Sequence, residues 1–301
     1  MTVSWPKDTA KAFGNELIHA EHNLHQNTLF SDEGLAKILD DYPRDELGLW
    51  TFGGHTEGLG TAIKGKAPSL SGAEIMEAVR TGHFWLNLRR ANLKLDYLAD
   101  IGDDIFGSLA DAAERKLRKQ DMGLLISSPC VHVNYHLDIP LVALFQISGE
   151  KRLWLYPADE THSPSDQVED IVHSRREEDL TFKNGFDDNA TVIDLKPGMG
   201  ITWPQAAPHR VQNADCVNVS LSCEYMTLPA LMKANAIYTN GILRSKLGMN
   251  PQTGRRVTPS IVGKAVAAQA IKKVTRRPQV ASSTPVTFEL DLSAENYARP
   301  L

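Results

Sequence analysis

The sequence predicts a mainly β core of the jelly-roll type, with α/β elements before it and helices after it. Eight short runs rich in valine, isoleucine and aromatic residues lie between positions 124 and 226, mostly separated by glycine, proline or asparagine turns. Outside this segment, apolar residues recur at helical spacing instead. The eight predicted strands are 124–128, 131–136, 142–147, 152–156, 191–195, 200–203, 209–212 and 217–225.

This change of pattern divides the 301 residues into three regions. Residues 1–123 form an N-terminal α/β flanking region and residues 124–226 form the β core. Residues 227–301 form a helical region that ends in a tail from Pro278, with one last strand at 286–292. We expect the core to carry the chemistry, because the candidate functional residues all lie within it.

Further elements follow from capping and spacing signals. Ser71 and Glu74 have the spacing of a capping box, which opens a helix. A strand is predicted at 84–89, and the polar stretch 158–189 inside the core predicts an insertion or lid loop. We predict helices at 9–24, 71–80, 92–118, 229–247 and 259–274. The third of these is expected to break near Gly102 or Gly107.

The composition favours a cytoplasmic globular protein. Hydrophobic residues make up 42% of the chain, enough for a sizeable core. No run of about 18 apolar residues predicts a membrane span, and Met1–Leu17 lacks the apolar stretch of a secretory signal. The three cysteines have no paired short spacing, so neither a disulfide framework nor a zinc knuckle is predicted.

The charge is distributed unevenly along the chain. Residues 1–224 hold 21 Lys or Arg against 34 Asp or Glu, whereas residues 225–288 hold 10 Lys or Arg and no acidic residue. Such polarity indicates that the C-terminal region faces something anionic. We favour packing on the acidic body of the same chain, or of a twofold partner, over nucleic acid or another anionic ligand.

Three residues of the core are candidate metal ligands. His136 and Asp138 are two apart in a predicted strand, so their side chains point to the same face. His209, at the start of another predicted strand, is the candidate third ligand. Two histidines and one carboxylate leave three metal positions open, as in the facial triad of non-haem iron oxygenases. Ligand types argue against structural zinc and exclude hydrolytic zinc less easily.

The core resembles the JmjC and cupin-like 2-oxoglutarate oxygenases, nearest to asparaginyl-hydroxylase-like proteins and their bacterial relatives. The resemblance covers about 100 residues and rests on ordered motifs. These are Tyr135-His-Leu-Asp138, Leu144-Phe-Gln-Ile-Ser-Gly-Glu-Lys-Arg-Leu-Trp-Leu-Tyr-Pro157, Leu195-Lys-Pro-Gly198 and Trp203-Pro-Gln-Ala-Ala-Pro-His-Arg-Val-Gln-Asn213. It implies a double-stranded β-helix (jelly roll or cupin), Fe(II) at His136, Asp138 and His209, and 2-oxoglutarate as cosubstrate.

The resemblance also implies residues that hold 2-oxoglutarate. Lys151 stands where relatives carry the lysine that pairs with the distal carboxylate of the cosubstrate. Asn218, on a strand that alternates polar and apolar residues, is a candidate hydrogen-bond donor, although a solvent-facing edge strand would show the same alternation. Asn134 shares the expected face of His136. Many relatives carry threonine and asparagine where this chain has Val133 and Val142, which bears on how the cosubstrate is held.

Two other functions remain open on the sequence. A metal cupin that does not use 2-oxoglutarate would usually show H-x-H followed by a glutamate, whereas this chain has Asp138 and no glutamate shortly after. A non-catalytic cupin-like sensor or regulatory protein would lack turnover. The primary substrate, a protein side chain or a small molecule, is not encoded in a motif. The C-terminal helices are candidates for a homodimer contact.

Overall fold

Fifteen strands and seven helices make up the described part of the chain. The structure is a computed structural model that describes residues 2–52, 62–254, 256–274 and 284–301. The strands are β1 (Val3–Ser4), β2 (Ile18–His22), β3 (Gly48–Phe52), β4 (Ala62–Lys66), β5 (Phe84–Leu88), β6 (Arg118–Ser127), β7 (His132–His136), β8 (Leu141–Ser148), β9 (Lys151–Leu155), β10 (Thr191–Leu195), β11 (Met199–Thr202), β12 (His209–Asn213), β13 (Asn218–Met226), β14 (Val286–Leu290) and β15 (Ala298–Pro300). The helices are α1 (Asp32–Asp41), α2 (Gly72–Thr81), α3 (Ala91–Lys94), α4 (Asp96–Ala113), α5 (Ser165–Val172), α6 (Leu228–Leu247) and α7 (Pro259–Val274). The predicted tail from Pro278 lies partly outside the described residues.

The strands form two sheets. The large sheet has eleven strands in the order β1-β2-β11-β8-β13-β6-β5-β3-β4-β14-β15, and the small sheet has four in the order β10-β9-β12-β7. All eight predicted core strands are confirmed, four in each sheet. Along the chain from β6 to β13, consecutive strands lie in different sheets, except β9 and β10. Each short connection therefore crosses from one layer to the other.

The large sheet buries a different core on each face. On one face, Phe145, Leu221 and Tyr225 pack in a cluster with apolar residues of α1, α2 and α4. On the opposite face, Leu144 packs with Leu153 of the small sheet. Because successive strand residues point to opposite faces, a strand covered on both sides is buried along its length, as β8 is, where every residue before Ser148 is buried and only Gln146 among them is polar. The small sheet thus closes one face of the large sheet.

The helix predicted at 9–24 is wrong, because Ile18–His22 is strand β2. Gly14 has a φ of +74°, a left-handed conformation that interrupts a helix. Burial in β2 alternates strictly, which is the period of a strand with one face on the core. The strand pairs with β11, so tertiary pairing overrides the local preference here.

The long helix predicted at 92–118 is divided, but not at a glycine. The break falls at Leu95, between α3 and α4, and α4 continues through both Gly102 and Gly107. A Cβ on Gly102 would lie 2.8 Å from the Cβ of Asn92, so this glycine lets α3 approach α4 closely. The prediction that the helix breaks at Gly102 is therefore wrong, because this glycine serves close helix packing.

The capped helix α2, the strand β5 and the two C-terminal helices confirm their predictions. Ser71 and Glu74 form both hydrogen bonds of the capping box. The predicted lid loop at 158–189 is only partly irregular, since it contains α5. Arg244 of α6 pairs with Glu169 of α5 at 2.8 Å, a contact of the basic region with the body of the same chain. None of the helices in the described ranges has the length and apolarity of a membrane span.

Candidate metal centre

The structure brings His136, Asp138 and His209 together. His136 ends β7, Asp138 follows two residues later, and His209 opens β12 as the direct partner of His136 in the small sheet. One ligand atom from each side chain lies within 4.8 Å of the other two. Nε2 of His209 is 3.4 Å from Oδ2 of Asp138, and the two imidazole centroids are 4.2 Å apart. These three side chains can therefore share one metal ion.

Backbone carbonyls fix the orientation of both imidazoles. Nδ1 of His136 lies 2.7 Å from the carbonyl oxygen of Asn134, and Nδ1 of His209 lies 3.2 Å from that of Ala207. A carbonyl can only accept, so Nδ1 is the protonated nitrogen in each ring and Nε2 keeps its lone pair for a metal. Burial lowers the pKa of His209 to about 4, which keeps this ring neutral at physiological pH.

A β-bulge beside the centre disturbs the alternation that the sequence suggested. The register of β12 against β7 shifts between His209 and Val211, so that Val133, not Asn134, lies opposite Val211. Simple alternation therefore does not place the Asn134 side chain beside the metal ligands. The contact that Asn134 makes there is through its backbone carbonyl, which holds His136.

Lys151 is a buried cation at the start of β9. It is 7% exposed, and its neighbours across the small sheet are Leu195 and Asn213. Among the described residues, none forms a hydrogen bond or an ion pair with its ammonium group. Burial lowers the pKa of Lys151 to about 8, because the charged form has lost its water. An anionic ligand would compensate this loss.

The polar face of β13 points inward, as one of the two sequence interpretations required. Asn218 and Ser220 are fully buried, and they belong to a hydrogen-bonded group with Gln146 of β8. The Asn218 carboxamide accepts from Gln146 at 2.8 Å and donates to the carbonyl of Cys216 at 3.0 Å. The solvent-facing alternative for this strand is wrong.

A cavity of about 850 Å³ lies beside the segment that follows the ligand Asp138. Its wall includes Ile139 and Pro140, which directly follow Asp138, together with residues of α6 and α7. Residues of the insertion between 171 and 178 form another part of the wall. The insertion is joined to the segment that carries the metal ligands by a hydrogen bond of 3.2 Å from the backbone nitrogen of Leu137 to the carbonyl of Glu178. A substrate in this cavity would contact the segment after Asp138 and Glu178, a carboxylate that interacts electrostatically with Asp138.

The sequence interpretation missed four charged residues beside the centre. Arg89 pairs with Glu224 at 3.1 Å and with Asp121 at 3.5 Å, and Glu178 lies near Asp138. Burial raises the pKa of Glu224 to about 7, against the opposing effect of Arg89. Glu224 continues the inward alternation of Asn218 and was detectable on that signal. Arg89, Asp121 and Glu178 come from distant parts of the chain, and no sequence signal connected them with the site.

Comparisons with known proteins show a shared fold. No protein-family model and no curated protein sequence matches the chain. Among solved structures, it resembles the X-ray structure of E. coli ycfD, with a TM-score of 0.50 and 17% identity over 93% of this chain and 70% of that one. The crystal structure of Escherichia coli ribosomal oxygenase YcfD matches with a TM-score of 0.50 and 15% identity, over the same shares. The two-sheet core with its flanking helices is therefore a fold shared with YcfD.

Proposed function

We propose that the chain is an Fe(II)- and 2-oxoglutarate-dependent oxygenase, with iron held by His136, Asp138 and His209. The donor set suits Fe(II), because two imidazoles and one carboxylate leave positions open for a bidentate ligand and dioxygen. Bound iron would supply dioxygen activation, with 2-oxoglutarate as the co-reductant, for oxidation of a substrate C–H bond. Hydroxylation is the expected outcome.

The observation that carries this proposal is the buried Lys151 without a protein anion. A buried ammonium is costly unless it is paired, and no described residue pairs with it. His136, His209 and Lys151 lie on three neighbouring strands of the small sheet, and such a set would suit a small dicarboxylate that binds the metal at one end and the lysine at the other.

The remaining site residues would position the reactants. Carbonyls of Asn134 and Ala207 hold the ligand rings, and the low pKa of His209 keeps its Nε2 free of a proton. Asn218 is proposed to order the cosubstrate end of the pocket through its buried hydrogen bonds. The cavity beside Asp138 is the proposed substrate site, and the insertion forms its wall.

The three regions of the chain also have proposed roles. Residues 124–226 are proposed to be a double-stranded β-helix, supported by consecutive strands that alternate between two facing sheets. Residues 1–123 and 227–301 would be its flanking regions, and the cytoplasm its compartment. YcfD is described as a ribosomal oxygenase. A protein side chain as substrate is on this basis our first proposal for this chain, ahead of a small molecule.

An anaerobic titration with Fe(II) and 2-oxoglutarate tests the function. The chelate absorbs weakly in the visible, so wild-type protein should show a charge-transfer band. His136→Ala should lose it, and Lys151→Ala should weaken cosubstrate affinity about a hundredfold or more. Arg152→Ala is the matched control, since this neighbouring cation is exposed and already paired with Asp194.

The outcome separates the rival functions. Iron binding without the band, in protein that is folded, would contradict the proposal and favour a cupin that works without 2-oxoglutarate. An equal loss in Arg152→Ala and Lys151→Ala would remove the special role of the buried lysine. A band together with no turnover on any peptide or metabolite panel would favour a sensor.

A further inference from the structure

Gln146 is a fully buried carboxamide whose hydrogen bonds converge on one turn. The two N–H groups of its Nε2 serve three acceptors, so that one hydrogen is shared: the carbonyl of Ser148 at 2.7 Å, the carbonyl of Gly149 at 3.1 Å and Oδ1 of Asn218 at 2.8 Å. Its Oε1 accepts from Oγ of Ser220 at 2.8 Å. One side chain thus binds both carbonyls of the turn and two residues of β13.

This turn carries the chain from the large sheet to the small one. β8 ends at Ser148 in the large sheet, and β9 begins at Lys151 in the small sheet. Gly149 adopts a left-handed φ of +71°, and a Cβ there would meet the carbonyl oxygen of Val217 at 2.2 Å. The pairing of β13 with β8 shifts register at this level, so strand hydrogen bonds do not define the turn by themselves.

We propose that Gln146 is the positioning residue for Lys151. The inference rests on the proposed function, in which Lys151 binds the distal carboxylate of 2-oxoglutarate. A lysine has four rotatable bonds, so the place of its ammonium depends on where its backbone is held. The ladder of β9 with β10 and β12 holds Lys151 itself. Gln146 adds a bond to the backbone two residues before Lys151, and it ties that turn to the strand that carries Asn218.

The chemistry of the group explains why glutamine stands here. Two carbonyl oxygens and Oδ1 of Asn218 all require a donor, whereas Ser220 requires an acceptor. A carboxamide offers both at one position. Leucine would remove the donor that these three acceptors share, leaving the buried Oδ1 of Asn218 without it, and glutamate would oppose them with a negative oxygen.

The test measures the dissociation constant of 2-oxoglutarate in the anaerobic Fe(II) titration. We expect Gln146→Leu to weaken 2-oxoglutarate binding about tenfold, with the affinity for Fe(II) alone unchanged. Gln146→Glu should weaken it at least as much. Ser220→Ala removes only the bond to Oε1, so it should weaken binding roughly threefold and serves if the Gln146 variants do not fold.

Thr202→Val is the matched control. Thr202 of β11 is also fully buried, and its hydroxyl donates to the carbonyl of Val142 of β8 at 2.7 Å. Neither of these strands pairs with β9. It should lower the melting temperature without changing the 2-oxoglutarate dissociation constant. Wild-type affinity in the Gln146 and Ser220 variants, or an equal loss in Thr202→Val, overturns the inference and leaves the function standing. Absence of 2-oxoglutarate binding by wild-type protein removes both.

Discussion

At the residue scale, the sequence identified side chains whose chemistry is local to one strand. His136 and Asp138 were found because two positions in a strand share a face, and His209 was found by the motif around it. Arg89 and Glu224 meet only because β5 and β13 both flank β6, and that order is set by tertiary pairing. Asn134 shows the limit of alternation, since one bulge changes which side chains share a face.

His22 makes the stability of the protein depend on pH. Burial lowers its pKa from 6.5 to about 4, and its Nε2 lies 3.1 Å from the carbonyl of Met199. The unfolded chain therefore binds a proton at a pH where the folded chain does not. Stability that is present at pH 7 is lost as the pH falls through the window from 6.5 to 4.

The expected loss from His22 between pH 7 and pH 5 is about 2 kcal/mol of unfolding free energy. Urea denaturation of wild type and His22→Gln at both pH values measures it. Gln can still donate to Met199 but does not titrate, so the variant should lose about 2 kcal/mol less than wild type on acidification. His209 titrates alike in both proteins. Equal pH dependence would contradict the assignment.

At the element scale, prediction succeeded where burial is regular and failed where packing overrides local preference. The core strands are short apolar runs between turn residues, and α2 carries its own cap. β2 was mistaken for a helix because its partner β11 lies far along the chain. Gly102 was mistaken for a breaker because its close neighbour Asn92 belongs to another helix.

The ion pair between Glu169 and Arg244 anchors the insertion to α6. Glu169 is 3% exposed and accepts two hydrogen bonds from the guanidinium, at 2.8 and 3.2 Å. Removing one partner of a buried pair leaves the other charge without compensation. Arg244 is 27% exposed and keeps its bonds to Asn250 and Pro251, so Glu169→Ala should cost only about 1–2 kcal/mol. It should release α5, which would show as faster amide exchange in the insertion.

Asp170→Ala is the control for that prediction. It breaks the neighbouring ion pair between Asp170 and Arg175, in which each side chain is 46% exposed. An exposed pair contributes about 0–1 kcal/mol, so little change is expected. Fe(II) affinity should be the same in both variants, because neither residue contacts the metal ligands. Unchanged exchange in Glu169→Ala would show that α5 is held by its apolar contacts alone.

At the scale of the whole molecule, charge and apolar exposure concentrate at the C-terminal helices. The stretch 225–288 has 10 basic and no acidic residues, and Arg244 accounts for one contact with the acidic body. Val262 and Val266, one turn apart on α7, are 38% and 65% exposed. An exposed apolar stripe flanked by one sign of charge is typical of an interface with a partner of opposite charge.

We predict that this stripe is the homodimer contact proposed above, with each basic region facing the acidic body of the other copy. Light scattering at micromolar concentration should then give about twice the 33.2 kDa chain mass. Val266→Asp would bury an unpaired charge at the contact, and should give monomer. Leu93→Asp is the matched control, because Leu93 is 64% exposed on α3 and should leave the dimer intact. A monomeric wild type would contradict the prediction, and dissociation by Leu93→Asp would place the contact elsewhere.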